Sequence, residues 1–260
     1  MSKLLAALLL LLFSTSSFAA QRIVILAPAA ADIIEKLDAS EMVVGKTRNV
    51  EEFPQAQKVG SHIRPNLELI TALDPDLLII SSNKFFSQEM AKKIDAELFY
   101  YTPETLEEIL QQTSQLAQLI DRKDQALKLI GAQWQKLKRL EPIKNKPKVI
   151  YEITEVPLTV AGSKNIIADI IKAAGGIFIN TGHRKMLRFN PEAILAQKPN
   201  LYIWQVGPMN QAPSPPAERG QYRLLQADYL QVDQLQFSRA NTRSFDNVLE
   251  LNTYFHERQN

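Results

Sequence analysis

A fifteen-residue pattern occurs twice in the chain, at residues 66–80 and 190–204, and it restricts the possible folds more than any other feature. The copies share seven identities: Asn66/Asn190, Glu68/Glu192, Ile70/Ile194, Ala72/Ala196, Pro75/Pro199, Leu77/Leu201 and Ile79/Ile203. Each copy has the same physical reading. Asn can cap a helix, because its side chain accepts from backbone N–H groups of the first turn. Glu two residues later puts negative charge where the helix dipole favours it. A short apolar-faced helix follows and Pro stops it. A run of aliphatic residues then reads as a buried parallel strand. A helix leading into a buried strand in both halves predicts two α/β lobes of related build with parallel sheets.

The N-terminus reads as an export signal. Lys3 precedes a wholly apolar stretch, residues 4–13, which is shorter than the roughly 20 residues that cross a bilayer. Ser17-Phe18-Ala19 fits a small-residue cleavage site, so residues 1–19 are expected to be removed and the mature chain to begin at Ala20. The sequence has no cysteine. Disulfides, thiolate metal sites, a thiol nucleophile and the lipid attachment point of a lipoprotein are therefore excluded. The expectation is a soluble periplasmic protein.

A net charge of +2 gives no support for nucleic acid or a membrane surface as main partner. Three histidines exclude a His-rich metal-scavenging loop. Strand and helix signals alternate. Residues 21–26, 42–45 and 98–101 read as strands beside the first repeat strand, and residues 29–37 and 85–94 as helices. Thr102 is the expected cap of a long helical stretch, broken by residues 121–124 and ending before Pro142. Residues 148–153 open a second lobe. Residues 165–174 read as a helix, 208–219 as a Pro- and Ala-rich surface loop, 235–237 as a late strand and 246–255 as a closing helix. The organisation expected is an N-terminal lobe over 20–120, an interlobe helix over 121–146 and a C-terminal lobe over 147–260.

The ordered set of Val43-Val44-Gly45, Val59-Gly60, Asn66-Leu67-Glu68, Leu73-Asp74-Pro75-Asp76-Leu77, Val160-Ala161-Gly162-Ser163, Ala174-Gly175-Gly176 and Pro191-Glu192-Ala193-Ile194 resembles the class III periplasmic binding proteins. These deliver cobalamin, haem or ferric siderophores to ABC importers, and the resemblance covers essentially the whole mature chain. It implies two α/β lobes bridged by one long helix, a ligand cleft between them, no reaction and no resident cofactor. It also implies a monomer whose partner is the permease dimer of the inner membrane. On that resemblance Glu68 and Glu192 are the permease-docking glutamates. Read from the residues alone, each complements its helix dipole, worth roughly 0.3–1 kcal/mol.

Two histidines stand just before the repeat helices, His62 and His183. Ligands in open α/β structures bind beyond strand ends, so both are candidate iron ligands. Surface histidines unconnected with a ligand explain them equally well. Basic residues crowd the same loops: Arg48 and Arg64, then Arg184, Lys185 and Arg188, with Arg239 and Arg243 in a later segment. Guanidinium groups suit the carboxylates and catecholates of haem and siderophores. Trp204, Tyr222 and Tyr229 are candidates for an aromatic wall, and Trp204 would serve a core equally well. No aromatic stands at position 61 or 62, where several cobalamin- and haem-binding relatives carry one. The basic loops favour an iron chelate, haem or ferric siderophore, over cobalamin.

Enzymatic readings find no motif: G-x-S-x-G, a P-loop, G-x-G-x-x-G and H-E-x-x-H are all missing. A zinc or manganese carrier using His62 and His183 would need a third ligand, and carboxylates are expected to be sparse in the cleft loops.

Overall fold

The computed structural model describes residues 19–258. The expected export segment, apart from Ala19, lies outside the described residues.

In the first half, β1 (Ile23–Ile25) leads through a 3-10 turn into α1 (Ala31–Lys36), then β2 (Val43–Lys46) and β3 (Gln57–Lys58). A hairpin of β4 (Gly60–Ser61) and β5 (Arg64–Pro65) precedes α2 (Leu67–Ala72) and β6 (Leu77–Ile80). The chain continues through α3 (Gln88–Ala91) to β7 (Glu97–Tyr100). The five-stranded sheet has the order β3-β2-β1-β6-β7 and is parallel throughout. All four residues of β6 are buried, as a strand covered on both faces requires.

α4 (Leu106–Leu119) and α5 (Lys123–Leu137) carry the chain to the second sheet. They are two helices because Asp121 takes a positive φ of 52° between them. Arg122 fastens the break, donating to the Asp38 carbonyl and, at 2.9 Å, to Glu41. The second half contains β8 (Lys148–Thr154), β9 (Thr159–Ala161), α6 (Ile166–Ala173), β10 (Ile177–Phe178), β11 (Met186–Arg188), α7 (Pro191–Gln197), β12 (Leu201–Val206), β13 (Asp228–Asp233), α8 (Gln234–Phe237) and α9 (Arg243–Glu257). Here β10, β12 and β13 extend β8 in parallel, while β9 and β11 add an antiparallel flap. The architecture is the expected pair of α/β lobes.

The two repeats are equivalent down to single atoms. Asn66 Oδ1 accepts from Leu69 N at 3.1 Å and Asn190 Oδ1 from Ala193 N at 2.7 Å. Asp74 and Lys198 occupy the same repeat position, and both take positive φ, 45° and 49°. Asp76 and Asn200 also match. Asp76 Oδ1 receives Arg22 N at 2.9 Å, and Asn200 Oδ1 receives Lys148 N at 2.8 Å, so each side chain anchors the start of its lobe's first strand.

Three local expectations are corrected. The helix cap is Thr105, which accepts from Glu108 N at 3.1 Å; Thr102 instead donates its N–H to Gln112. The helix expected over 85–94 shrinks to Gln88–Ala91, capped by Ser87. Residues 235–237 are helical, because Asp233 caps Gln236 N at 2.8 Å. The late strand is β13, an edge strand whose D-Y-L-Q-V-D pattern is half polar and breaks strict alternation.

One continuous core includes Ile23 and Ile79 of the first sheet and Tyr151 and Ile203 of the second. Hydrogen bonds also cross between the halves. Tyr101 donates to the Ala240 carbonyl at 2.9 Å, Leu106 N to Asp169 at 2.8 Å, and Thr242 Oγ1 to Asp32 at 2.8 Å. The segment between α8 and α9 thus stitches the second half to the first.

Candidate ligand cleft

A parallel sheet presents the loops after its strands on one edge, and both sheets turn that edge toward a shared cleft. A cavity of about 360 Å³ lies there. Pro28 and Ala29 beyond β1, Asn49 beyond β2 and His62 of the β4–β5 turn form one side. The other side has Ile153, Gln205, Pro208 and Met209 from the ends of β8 and β12, Met186 of β11, and Gln234, Ser238 and Arg239 beyond β13. A larger cavity, about 630 Å³, opens at the opposite ends of β8, β12 and β13. It draws on the second lobe and the segment leading into it and on no residue of the first lobe, so the cleft is the better candidate for capture between lobes.

Two further chambers share walls with the central cavity and differ in charge. One, about 180 Å³, is lined by Lys164, Lys185 and Tyr101. The other, about 370 Å³, holds Asp32, Glu51, Glu52 and Asp233 beside Arg239 and Arg243. Carboxylates are thus well represented in the cleft, against the expectation that they would be sparse. Among the described residues no group of three or more His, Asp or Glu is placed to hold a metal ion.

His62 is half-buried, and its Nδ1 has no hydrogen-bond partner. Its ring meets Phe85 edge-on, with centroids 6.0 Å apart. Burial, then Arg48 and Arg239, hold its pKa below the usual 6.5. The imidazole is therefore neutral at neutral pH, the form that can donate a lone pair to a metal.

The other predicted residues scatter. His183 is exposed, with Nδ1 3.4 Å from Ser163 Oγ, and is absent from the cavity wall. Arg64 and Arg184 are exposed and likewise not on the wall. Lys185 lines the basic chamber, 3.9 Å from Glu104. Arg188 is exposed two residues after Met186, on the same face of β11. Arg243 opens α9, pairs with Glu250 at 2.7 Å and reaches the acidic chamber. Trp204 is buried in the core with Ile150 and Tyr202, and Tyr222 and Tyr229 pack into the same cluster. The expected aromatic wall is a core layer. Sequence reasoning missed Asn49, Met186, Met209, Gln205 and Gln234 as lining residues. Of these only Met209 had a local signal, its place beside Pro208 at a strand end.

Glu68 and Glu192 are exposed in the first turns of α2 and α7. Each helix runs back along its sheet before the next parallel strand. Its first turn therefore lies at the strands' C-terminal edge, on the cleft side of the molecule.

The family model for periplasmic binding proteins matches residues 23–223. The chain belongs to the periplasmic binding protein family. Among curated relatives, it is 28% identical over 194 residues to the high-affinity heme uptake system protein IsdE of Staphylococcus aureus, covering 67% of this chain and 65% of that one. It is 27% identical over 172 residues to the vitamin B12-binding protein of Vibrio parahaemolyticus, covering 62% of each. The chain thus spans a little under two thirds of the length of these relatives. Its fold matches the periplasmic vitamin B12 binding protein BtuF of Vibrio cholerae, with TM-score 0.75 and 20% identity over 93% of this chain and 99% of that one. It also matches S. aureus IsdE complexed with heme, with TM-score 0.74 and 21% identity over 90% and 98%. The family match stops before α8 and α9, yet Ser238 and Arg239 of that region line the cavity.

Proposed function

We propose that the protein is the extracytoplasmic substrate-binding component of an ABC importer and that it captures an iron chelate, haem or ferric siderophore, in the interlobe cleft. The observation that carries this reading is a neutral His62 imidazole on the cavity wall beside Arg239, its Nδ1 without a hydrogen-bond partner. The imidazole would ligate iron, and Met186 and Met209 offer thioether donors in the same wall. Arg48, Arg239 and Lys185 would meet the acid groups of the chelate. His183, off the wall, is left without a ligating role.

The protein would act as a monomer with no resident cofactor and would make or break no bond. Exported and cleaved near Ala20, it would hand its cargo to the permease dimer through Glu68 and Glu192. Their exposure on the cleft side, one on each lobe, supports docking over dipole complementation alone. Among the described residues no helix is long and apolar enough to cross a membrane, which agrees with delivery to a separate permease.

Titrating the mature protein with haemin, a ferric trihydroxamate and cobalamin tests the cargo. A shifted Soret band or saturable ferric-chelate binding is expected. Tight cobalamin binding with both iron chelates silent would assign the cargo to cobalamin instead.

A further inference from the structure

We infer that Glu152 and Arg219 are positioning residues for the ligand: a buried clamp that fixes the turn carrying Pro208 and Met209 in the cleft wall. The inference rests on the reading of the cleft as the ligand site.

The segment from Gly207 to Tyr222 leaves the end of β12, forms part of the cavity and returns to the core. Its sequence is rich in Pro and Ala and has little apolar side chain with which to hold itself down. Apart from two single 3-10 turns it has no regular structure of its own. Something outside it must set where Met209 sits.

The attachments are polar. Gly207 N and Asn210 O, 3.1 Å apart, close a tight turn with Pro208 and Met209 at its tip. Met209 N donates to Gln234 Oε1 at 2.8 Å, and Asn210 Nδ2 to the Gln205 carbonyl at 2.8 Å. Further along, Ser214 N donates to Glu155 at 2.7 Å. Arg219 then gathers the far end. It forks onto Glu152, Nη1 to Oε2 at 2.6 Å and Nη2 to Oε1 at 2.9 Å, and its Nε donates to the Ser214 carbonyl at 2.9 Å. Tyr202 adds a hydroxyl to Glu152 Oε2 at 2.5 Å. Glu152 is fully buried, and Arg219 nearly so.

A buried ion pair is an inefficient way to gain stability, because an apolar pair of similar size often does as well. The first lobe illustrates this. Counted from the matched anchors Arg22 and Lys148, the place of Glu152 is taken there by Leu26, which is buried and apolar. What a planar guanidinium adds is direction: its fork accepts one carboxylate orientation and leaves its third nitrogen for the strap's backbone. Only in the lobe where a strap lines the cavity does this position carry a charge.

The test compares the mature protein with Glu152→Leu/Arg219→Met, which removes both charges together. Hydrogen exchange of residues 207–219 and affinity for haemin and a ferric trihydroxamate are read alongside thermal melting. Near-unchanged melting with faster strap exchange and about tenfold weaker binding is expected, the scale of ordering one side chain on association. Met209→Ala is then added in both backgrounds. With the strap loose, its loss should cost far less than in the wild type, a non-additivity that general destabilisation would not produce. Should the double variant fail to fold, Arg219→Lys retains the charge without the fork and should give an intermediate loosening. Unchanged exchange and affinity, or strictly additive losses, would overturn the inference. If the wild type binds neither probe, the cargo reading fails, while the exchange data still decide whether the clamp orders the strap.

Discussion

The two lobes begin from the same fifteen-residue pattern and put it to different uses. In the first, the repeat strand reads Leu-Leu-Ile-Ile and packs into a wholly apolar layer with Val24, Leu26 and Ile70. In the second, the same strand carries Tyr202 and Trp204, and a polar network threads the layer beneath them. Burial, then the Glu152 carboxylate, push the Tyr202 hydroxyl pKa far up, so it stays a phenol and donates. Burial is the largest single influence on Arg219 and works against its charge, but the Glu152 hydrogen bonds together with the attraction of Glu152, Tyr202 and Glu155 outweigh it and raise the Arg219 pKa above its ordinary value. The scaffold is duplicated while the walls are not. Most of the differences lie just beyond the repeat strand, where the first lobe has a short helix and the second the strap.

If the duplication extends to function, both docking glutamates matter. Glu68→Arg with Glu192→Arg should abolish uptake through the permease while leaving chelate affinity unchanged, since charge reversal turns attraction into repulsion. Normal uptake by the double variant would reduce both residues to helix-dipole partners.

Stability should separate the lobes next. Glu152→Ala strands Arg219 in the interior and is expected to cost about 3–5 kcal/mol in urea unfolding. Leu26→Ala, at the matched place, should cost about 2–5 kcal/mol by cavity formation alone. Salt should leave both losses nearly unchanged, because buried pairs are little screened.

The histidines should be unequal as well. His62→Ala is expected to weaken iron-chelate binding about tenfold, the scale of a lost hydrogen bond or ligand of about 1.4 kcal/mol, and His183→Ala to leave it unchanged. The sign of the pH effect follows from the lowered His62 pKa. The ring is neutral at neutral pH and takes up its proton at lower pH than an ordinary imidazole, so affinity should hold near pH 7 and fall in acidic buffer as the proton blocks the lone pair. His62→Ala should remove that fall. A titration in which His183→Ala weakens binding as much would restore the two-histidine site.

The smallest effect tests the repeat itself. Asn66→Ala and Asn190→Ala each lose one cap bond and should each cost about 1 kcal/mol by thermal melting. A large difference between them would mean that the caps are equivalent in geometry only.

Much of this was legible without coordinates because it is local. Asn caps, the Pro stops and the aliphatic runs act within a few residues, so the repeat, its two helices and its buried strands could be read directly. So could the break between α4 and α5. Errors came where a distant partner decided the outcome. The polar-apolar mix of β13 became a strand because β12 offered it an edge, and residues 235–237 became helix because Asp233 turned to cap them. The site divided in the same way. Topology brings the loops before the repeat helices toward the cleft, and His62 does line the cavity. Whether a given side chain reaches the cavity depends on loop paths of a few ångströms, and here His183, Arg64 and Trp204 diverged from expectation. The charge of Glu152 could be read in the sequence, but its partner lies 67 residues away. Only packing of the strap onto β8 brings the two together, since a buried charge is tolerated only where the fold supplies its counter-ion.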